Sequence, residues 1–129
     1  MTQSSDLAAI RELAMQLARK RFEKDISIVD DFEPDAVLIG SDADEIAEGQ
    51  ARIRSVFQHA IRRPHTLQLT WERVEAFAEG DIGWLYADGA AELSGTGRPR
   101  KLRYRLTAVV GRRDGVWRWR LFHGSEPKL

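Results

Sequence analysis

The sequence predicts an α+β fold in which helices pack on one face of a strongly bent sheet. Two observations support this prediction. As far as Pro64, apolar residues recur mostly at the spacing of amphipathic helices, interrupted by one short strand pattern. After Pro64 the apolar period becomes two, and four long strand patterns follow with turn sequences between them. Helices followed by a run of consecutive strands are typical of the α+β class.

Length and composition fit one domain spanning residues 1–129. The 43% hydrophobic content is sufficient for a packed core. Twenty Lys and Arg residues balance twenty Asp and Glu residues, which argues against a nucleic-acid partner held by phosphate contacts. The absence of cysteine excludes a disulfide scaffold, a thiolate metal site and a cysteine nucleophile. Because no signal-peptide pattern or long apolar run is present, we expect a cytoplasmic protein with no membrane contact.

Two helices are expected before the first strand. The first has N-cap candidates in Ser4–Asp6. Its apolar stripe consists of Leu7, Ile10, Leu13, Ala14 and Leu17. Asp25 can cap a short second helix that ends before Pro34, because the residue preceding a proline disfavours helical geometry. The apolar residues of that helix are Ile28, Val29 and Phe32.

A strand, a loop and a third helix complete the first part of the chain. The strand is Ala36–Gly40, and the acidic loop Ser41–Glu45 follows it. The third helix is Gly49–Arg63, which Pro64 ends. Its apolar face consists of Ile53, Val56, Phe57, Ala60 and Ile61.

Four long strands follow the third helix. Turn residues at Glu79–Asp81 and Asp114–Gly115 predict hairpins, and Gly95–Pro99 is a loop between the middle pair. The strands are expected at Thr66–Ala78, Ile82–Leu93, Leu102–Arg112 and Val116–His123.

The end of the sequence resembles a known family. Arg112–Pro127 contains an Arg-Asp-Gly turn, a Trp and a His-x-Ser sequence. It resembles the closing hairpin of SnoaL-like domains, and also the end of the association (hub) domain of calcium/calmodulin-dependent protein kinase II. Phe32–Val37 is similar to the family's approach to its first strand, and Gly40–Asp42 with Glu48–Gly49 to its loop and following helix. The similarity spans nearly the whole chain in the right order.

The resemblance is to the superfamily of nuclear transport factor two, ketosteroid isomerase and SnoaL. It implies a cone-shaped, cystatin-like α+β fold with a strongly curved antiparallel or mixed sheet. Three N-terminal helices would pack on its concave face, a pocket would lie between sheet and helices, and the protein would form a homodimer. Because members of one fold perform many functions, the resemblance does not fix the activity.

The catalytic set of ketosteroid isomerase has no counterpart in this chain. The resemblance places Gly40 where the isomerase has its general base. It places Leu17 near the isomerase's oxyanion tyrosine, and Thr107 near its second oxyanion acid. Enolate chemistry needs a base and a facing donor, so we do not expect an isomerase of that kind.

His123 and Arg105 are the candidate catalytic residues. An imidazole can act as acid or base near neutral pH, and an inward arginine can bind a carboxylate in bidentate fashion. Each also has a purely structural interpretation. His123 can hold the last strand through a hydrogen bond, and Arg105 can belong to a solvent-facing basic strand.

Alternating aromatic and polar residues on the second long strand suggest a pocket wall. Aromatic rings with a few polar groups are typical of small-molecule sites, although the same residues can be core. If the first turn is tight, Trp84, Tyr86 and Asp88 pair with Glu75, Arg73 and Trp71. The expected ligand-binding set is Trp71, Trp84, Tyr86, Asp88, Arg105 and His123.

Two arguments assign opposite faces of the last hairpin to the inside of the fold. A tight Asp114–Gly115 turn places His123 opposite Leu106, and Arg105 opposite Gly124. Apolar parity turns the Leu106 face toward the helices, whereas the resemblance turns the Arg105 face toward the pocket. A single β-bulge would reverse part of either assignment.

No metal or cofactor is expected. The acidic loop lacks the full oxygen spacing of a calcium loop, and His59 and His65 do not form a helical pair of ligands. We therefore expect a protein that binds a small apolar or aromatic molecule in the pocket. The alternatives are a cofactor-free isomerase, cyclase or hydratase that uses His123 and Arg105, and a hub-like oligomerisation module.

Overall fold

The computed structural model describes residues 3–128, which form two α-helices, one 3₁₀ helix and six β-strands. The helices are α1 (Gln3–Glu23), the 3₁₀ helix (Ile26–Asp31) and α2 (Gln50–Arg62). The strands are β1 (Phe32–Ile39), β2 (Ile46–Glu48), β3 (Thr66–Glu79), β4 (Ile82–Ser94), β5 (Arg100–Arg113) and β6 (Val116–Ser125). The four long strands predicted from the period of two are therefore confirmed.

The strands form one curved, open sheet in the order β2-β1-β6-β5-β4-β3. The β1–β6 pair is parallel and the other pairs are antiparallel, so the sheet is mixed. Helix α1 packs mainly on β3, and α2 packs on the 3₁₀ helix, β1 and β2. The α+β class is confirmed. Within residues 3–128, no helix has the length and apolar character needed to cross a membrane.

The expectation of three N-terminal helices is not confirmed. Within residues 3–128, only α1 and the 3₁₀ helix precede the sheet, since α2 follows β1 and β2. The Asp25 side chain caps the 3₁₀ helix as expected, accepting a hydrogen bond from the Ser27 backbone N–H at 2.9 Å. Phe32 begins β1 instead of ending a helix, because its ring is fully buried among Phe57, Trp119 and Phe122.

The predicted apolar stripe of α1 is confirmed, but its cap is not. Ile10, Leu13, Ala14 and Leu17 are buried, and Leu7 packs against the core. Ser4–Asp6 lies inside the helix, which begins at Gln3. The Asp6 carboxylate instead forms an ion pair with Arg112 on β5, with 2.8 Å between Oδ1 and Nη1.

A bulge at Arg120 corrects the predicted register of the last hairpin. Arg113 pairs with Val116 as expected, but the pairing shifts between Val110, opposite Trp119, and Val109, opposite Leu121. Beyond the bulge the inward and outward alternation of β6 reverses. Leu121 and His123 are therefore exposed, whereas an unbroken alternation would place them on the same face as the buried Trp117 and Trp119. The observed partners are Thr107 for His123, Leu106 for Gly124 and Ser125 for Arg105.

The first hairpin differs from the prediction by two residues. Glu79 pairs directly with Ile82 across a two-residue turn. The partners of Trp84, Tyr86 and Asp88 are therefore Phe77, Glu75 and Arg73. A second irregularity, between Trp71 and Arg73, shifts the register again further along the hairpin.

A buried carboxylate lies beside the Arg120 bulge. Glu33 on β1 is 2% exposed, and both of its oxygens accept hydrogen bonds from Arg120, from Nε at 2.8 Å and from Nη2 at 3.2 Å. Arg113 Nε is 3.4 Å from the same carboxylate. The pair lies over Gly111, where a Cβ would come within 2.6 Å of Glu33 Oε1. This ion pair joins the irregular part of β1 to the bulge of β6.

Replacing Arg120 tests how much this pair stabilises the fold. Arg120→Met leaves Glu33 buried with Arg113 alone. We expect the free energy of unfolding by urea to fall by about 2–4 kcal/mol. This loss is slightly smaller than that for a fully buried ion pair, because the Arg120 side chain is partly exposed to solvent. Removing the exposed α1 pair with Arg19→Ala should cost less than about 1 kcal/mol. Equal losses in the two variants would contradict this account.

Candidate functional site

A large cavity lies between the inner face of the sheet and the helices. Its volume is about 690 Å³, within the range usual for small-molecule sites. Helices α1 and α2, strands β1 and β3–β6, and the β1–β2 loop all contribute to it. Its buried wall is apolar and consists of Leu17, Leu38, Phe57, Leu69, Ala91 and Phe122. An apolar molecule that entered this space would gain free energy because its surface would be removed from water.

Tyr104 is the main polar group that β5 presents to the cavity. It shares the inner face with Leu102 and Leu106, and its ring contacts that of Trp71 at a centroid distance of 6.1 Å. Burial raises the pKa of Tyr104 to about 12, so the phenol stays a proton donor at neutral pH. Its hydroxyl lies against Gly124, where a Cβ would overlap with it. The glycine therefore makes room for the hydroxyl.

Arg21 enters the same cavity from the last turn of α1. Its guanidinium carbon lies 5.9 Å from the centre of the Phe57 ring. Burial lowers the pKa of Arg21, while the charges of Tyr104 and Glu45 act in the opposite direction. Among residues 3–128, no carboxylate forms an ion pair with this guanidinium. Its charge is thus partly desolvated without a direct anionic partner.

Glu45 completes the polar part of the wall from the β1–β2 loop. Burial raises the pKa of this carboxyl, and the neighbouring Asp42 raises it further. Its Oε1 accepts a hydrogen bond from the Asp42 backbone N–H at 3.3 Å, and its side chain lies against Gly40. The cavity therefore contains a phenol donor, a guanidinium cation and a carboxyl whose proton affinity is increased. We call Arg21, Glu45 and Tyr104 the polar cluster.

The structure places the expected ligand-binding residues elsewhere. Of the described residues that line the large cavity, none belongs to the expected set. Trp71 is turned inward but lies behind Tyr104, and its Nε1 donates a hydrogen bond to the Ala14 carbonyl at 2.9 Å. The others are on the outer face of the sheet. They are Trp84, Tyr86, Asp88, Arg105 and His123.

The two catalytic candidates are separated from the cavity by the sheet. Arg105 forms an ion pair with Asp88 at 3.2 Å, and Asp88 also binds Arg103 at 2.8 Å. His123 is exposed and does not line the large cavity, but it lines an adjoining polar depression of about 390 Å³ that shares Ser41 and Glu126 with that cavity. Their catalytic role stays a prediction, and any chemistry they perform would occur on the outer face.

Sequence reasoning missed the polar cluster for identifiable reasons. Tyr104 alternates with Leu102 and Leu106, so apolar parity alone assigns it inward. Arg21 continues the α1 stripe four residues after Leu17, which is a usable indication of an inward position. Nothing in the sequence distinguishes Glu45 from the other acids of its loop. Its burial depends on how that loop folds back over Gly40.

Comparison with solved structures finds the same fold in proteins of diverse description. A candidate dehydratase of the nuclear transport factor two-like family from Streptomyces avermitilis has a TM-score of 0.89 at 12% identity, over 99% of this chain and 100% of that one. A candidate aromatic ring hydroxylase from Novosphingobium aromaticivorans also has 0.89 at 21% identity, over 100% and 94%. A protein of unknown function with a cystatin-like fold from Nostoc punctiforme has 0.75 at 16% identity, over 93% and 90%. At these identities the likeness shows the fold alone.

Sequence comparison is more specific about the family. A search of curated proteins found no match. The model of the SnoaL-like domain matches residues 7–128, which includes every described strand and nearly all of α1. The chain therefore belongs to the SnoaL-like domain family.

Proposed function

We propose that the protein binds a small, mainly apolar or aromatic molecule in the cavity. The proposal is supported by a cavity of about 690 Å³ whose buried wall is apolar, while its charged side chains are exposed or half-buried. Apolar burial supplies the affinity, because each square ångström of apolar surface removed from water contributes about 25 cal/mol. The polar cluster supplies orientation, since polar groups left unpaired in such a space are costly.

The donors of the cluster favour a ligand that carries an acceptor oxygen. Tyr104 has a hydroxyl proton to donate, and Arg21 has guanidinium protons that no carboxylate of residues 3–128 binds. A carbonyl, ether or carboxylate oxygen would satisfy both. A ligand of pure hydrocarbon would leave them unpaired, and should therefore bind more weakly than an oxygenated molecule of the same shape.

Acid–base catalysis is the second candidate function. The raised pKa of Glu45 brings this carboxyl closer to the range in which a general base works at neutral pH. Glu45 would take a proton from a bound substrate, while Tyr104 and Arg21 would stabilise the negative charge that develops on its oxygen. The similar Streptomyces avermitilis protein is described as a candidate dehydratase, a class of reaction that needs such a base and donor.

Filling the cavity tests the binding function. Ala91→Phe puts a ring into the space, whereas the control Ala90→Phe adds the same ring on the other face of β4. The probes are naphthaleneacetic acid, naphthaleneacetamide and acetonaphthone. We expect at least one to stabilise the wild type and Ala90→Phe by about 2.7 kcal/mol at ~100 times its Kd, and to have no effect on Ala91→Phe. Equal thermal shifts in both variants would contradict a site in the cavity.

The raised pKa of Glu45 makes stability depend on pH. Because the pKa is higher in the folded protein than in the unfolded chain, the folded state loses stability as the pH rises from the ordinary glutamate range through the folded pKa. Glu45→Gln should therefore gain stability over the wild type at neutral pH, and this gain should vanish in acid. Urea unfolding at a series of pH values measures it.

The control for this experiment is Glu48→Gln, which changes an exposed glutamate on the neighbouring strand β2. It should show no comparable pH-dependent gain. A Glu45→Gln difference that is constant from acid to neutral pH would show that the carboxyl titrates normally.

We also propose that the outer face of the sheet joins two copies of this chain. An apolar patch lies there, consisting of Phe77, Ile82, Trp84, Tyr86 and Leu121. The Phe77 and Trp84 rings stack with centroids 5.7 Å apart, and Arg73 lies 5.6 Å over the Tyr86 ring. Charged groups at Glu72, Asp88, Arg103 and Arg105 lie next to it. An apolar centre with a charged border is typical of a protein interface.

Charge introduced into the patch tests the homodimer. Trp84→Glu should shift the mass measured by light scattering from a dimer to a monomer, with the circular dichroism spectrum unchanged. Met15→Glu is the matched control, because Met15 on α1 is 46% exposed and Trp84 43%. A wild-type protein that is monomeric at high concentration, or a Trp84→Glu dimer, would contradict the proposal.

A further inference from the structure

The charged residues around the cavity are divided between two sides. Acidic residues come from the β1–β2 loop and from the segment after β6, which are joined by a hydrogen bond from Ser41 to Glu126 at 2.7 Å. They are Asp42, Asp44, Glu45 and Glu126. Basic residues come from the ends of α1 and α2 and from the β4–β5 connection. They are Arg21, Lys24, Arg63, Arg98 and Arg100, and the side chains of His59 and His65 lie beside them in the wall.

The sheet order separates most residues of the two sides, although Arg21 lies close enough to Glu45 for their charges to interact. The acidic segments adjoin the neighbouring strands β1 and β6, whereas most of the basic residues adjoin β3, β4 and β5. The pairing of β6 with β5 joins these two groups of strands. At the basic side, β3 starts opposite the end of β4, and Arg100 pairs with Leu93. Lys24 binds the Arg63 carbonyl at 2.8 Å, which brings the end of α1 to the end of α2. The cations are thus gathered along one edge of the opening.

The cations of this edge differ from most arginines further along β5 and β6. Arg103, Arg105, Arg112, Arg113 and Arg120 each contact a carboxylate within 3.4 Å. In the part of the chain that the structure describes, Arg63, Arg98 and Arg100 have no such ion pair. Their positive charge is therefore not neutralised locally. Like charges that border a low-dielectric cavity add their fields and attract an anion to its mouth.

We propose that the ligand is an amphipathic anion whose charged end lies between Arg63, Arg98 and Arg100 while its apolar body fills the cavity. This inference rests on the proposed binding function and adds the charge and orientation of the ligand. A carboxylate, sulfonate or phosphate can accept two parallel hydrogen bonds from one guanidinium. The inner oxygen at the polar cluster and the outer anion would then fix both ends of one molecule. A polyanion such as nucleic acid is disfavoured, since the acidic side borders the same opening.

A matched pair of probes separates charge from shape. Naphthaleneacetic acid and naphthaleneacetamide share one ring system and differ in the charge of one end. By calorimetry at low salt, the wild type should bind the acid about tenfold more tightly than the amide. This preference should shrink when the salt is raised from about 50 to about 500 mM, because the arginines are exposed.

Charge reversal at the mouth locates the anion. Arg98→Glu/Arg100→Glu should weaken binding of the acid at least about tenfold and change binding of the amide by less than about twofold. The control Arg52→Glu/Arg54→Glu makes the same change in charge on exposed positions of α2 that do not line the cavity, and should keep the preference.

The possible results distinguish the inference about the charge of the ligand from the proposed binding function. Equal binding of acid and amide to the wild type would overturn the inference about charge and leave the binding function intact. A preference that survives in Arg98→Glu/Arg100→Glu would also overturn it, because the anion would then bind elsewhere. Failure of every oxygenated naphthalene probe to bind the wild type would contradict the binding function itself.

Discussion

The buried ion pair between Glu33 and Arg120 joins β1 to the bulge of β6, and the orientation of the end of β6 follows from that bulge. A carboxylate that is 2% exposed must be paired, and its bidentate partner is the residue that bulges out of β6. The bulge reverses the alternation of the last strand. Phe122 then points into the core and His123 to solvent, and Gly124 comes to lie beneath the hydroxyl of Tyr104. One buried charge therefore affects which residues face the cavity.

The sequence was a good guide to what depends on periodicity and a poor guide to what depends on single residues. The four long strands follow from the period of two, and their bounds agree within two residues. The two bulges, near Glu72 and at Arg120, are not recognisable from that period, because a bulged residue is of the same type as other residues in a strand. The bulge at Arg120 displaces the register, so the predicted partners of His123 and Arg105 differ from the observed ones. The inward positions expected for Arg105, Trp84 and Tyr86 rest instead on the resemblance, and these side chains lie on the outer face.

The residues of the candidate site also differ in whether a periodic pattern predicts their position. Apolar parity along β5 and the helical stripe of α1 indicate that Tyr104 and Arg21 point inward, so both were within reach of sequence reasoning. Glu45 was not, since its burial arises from a loop that folds against Gly40. The four tryptophans have different environments. Trp119 and Trp117 are buried, Trp71 supports Tyr104, and Trp84 lies on the outer face. The inner face holds the proposed small-molecule site, and the outer face is the proposed contact with a second copy of the chain.

A crystal structure of the protein with naphthaleneacetic acid would show which face of the sheet binds an aromatic molecule. We expect the naphthalene ring inside the cavity, between Phe57 and Tyr104, with the carboxylate directed toward Arg98 and Arg100. A ring bound instead on the outer face against Trp84 and Tyr86, with the cavity empty, would contradict this expectation.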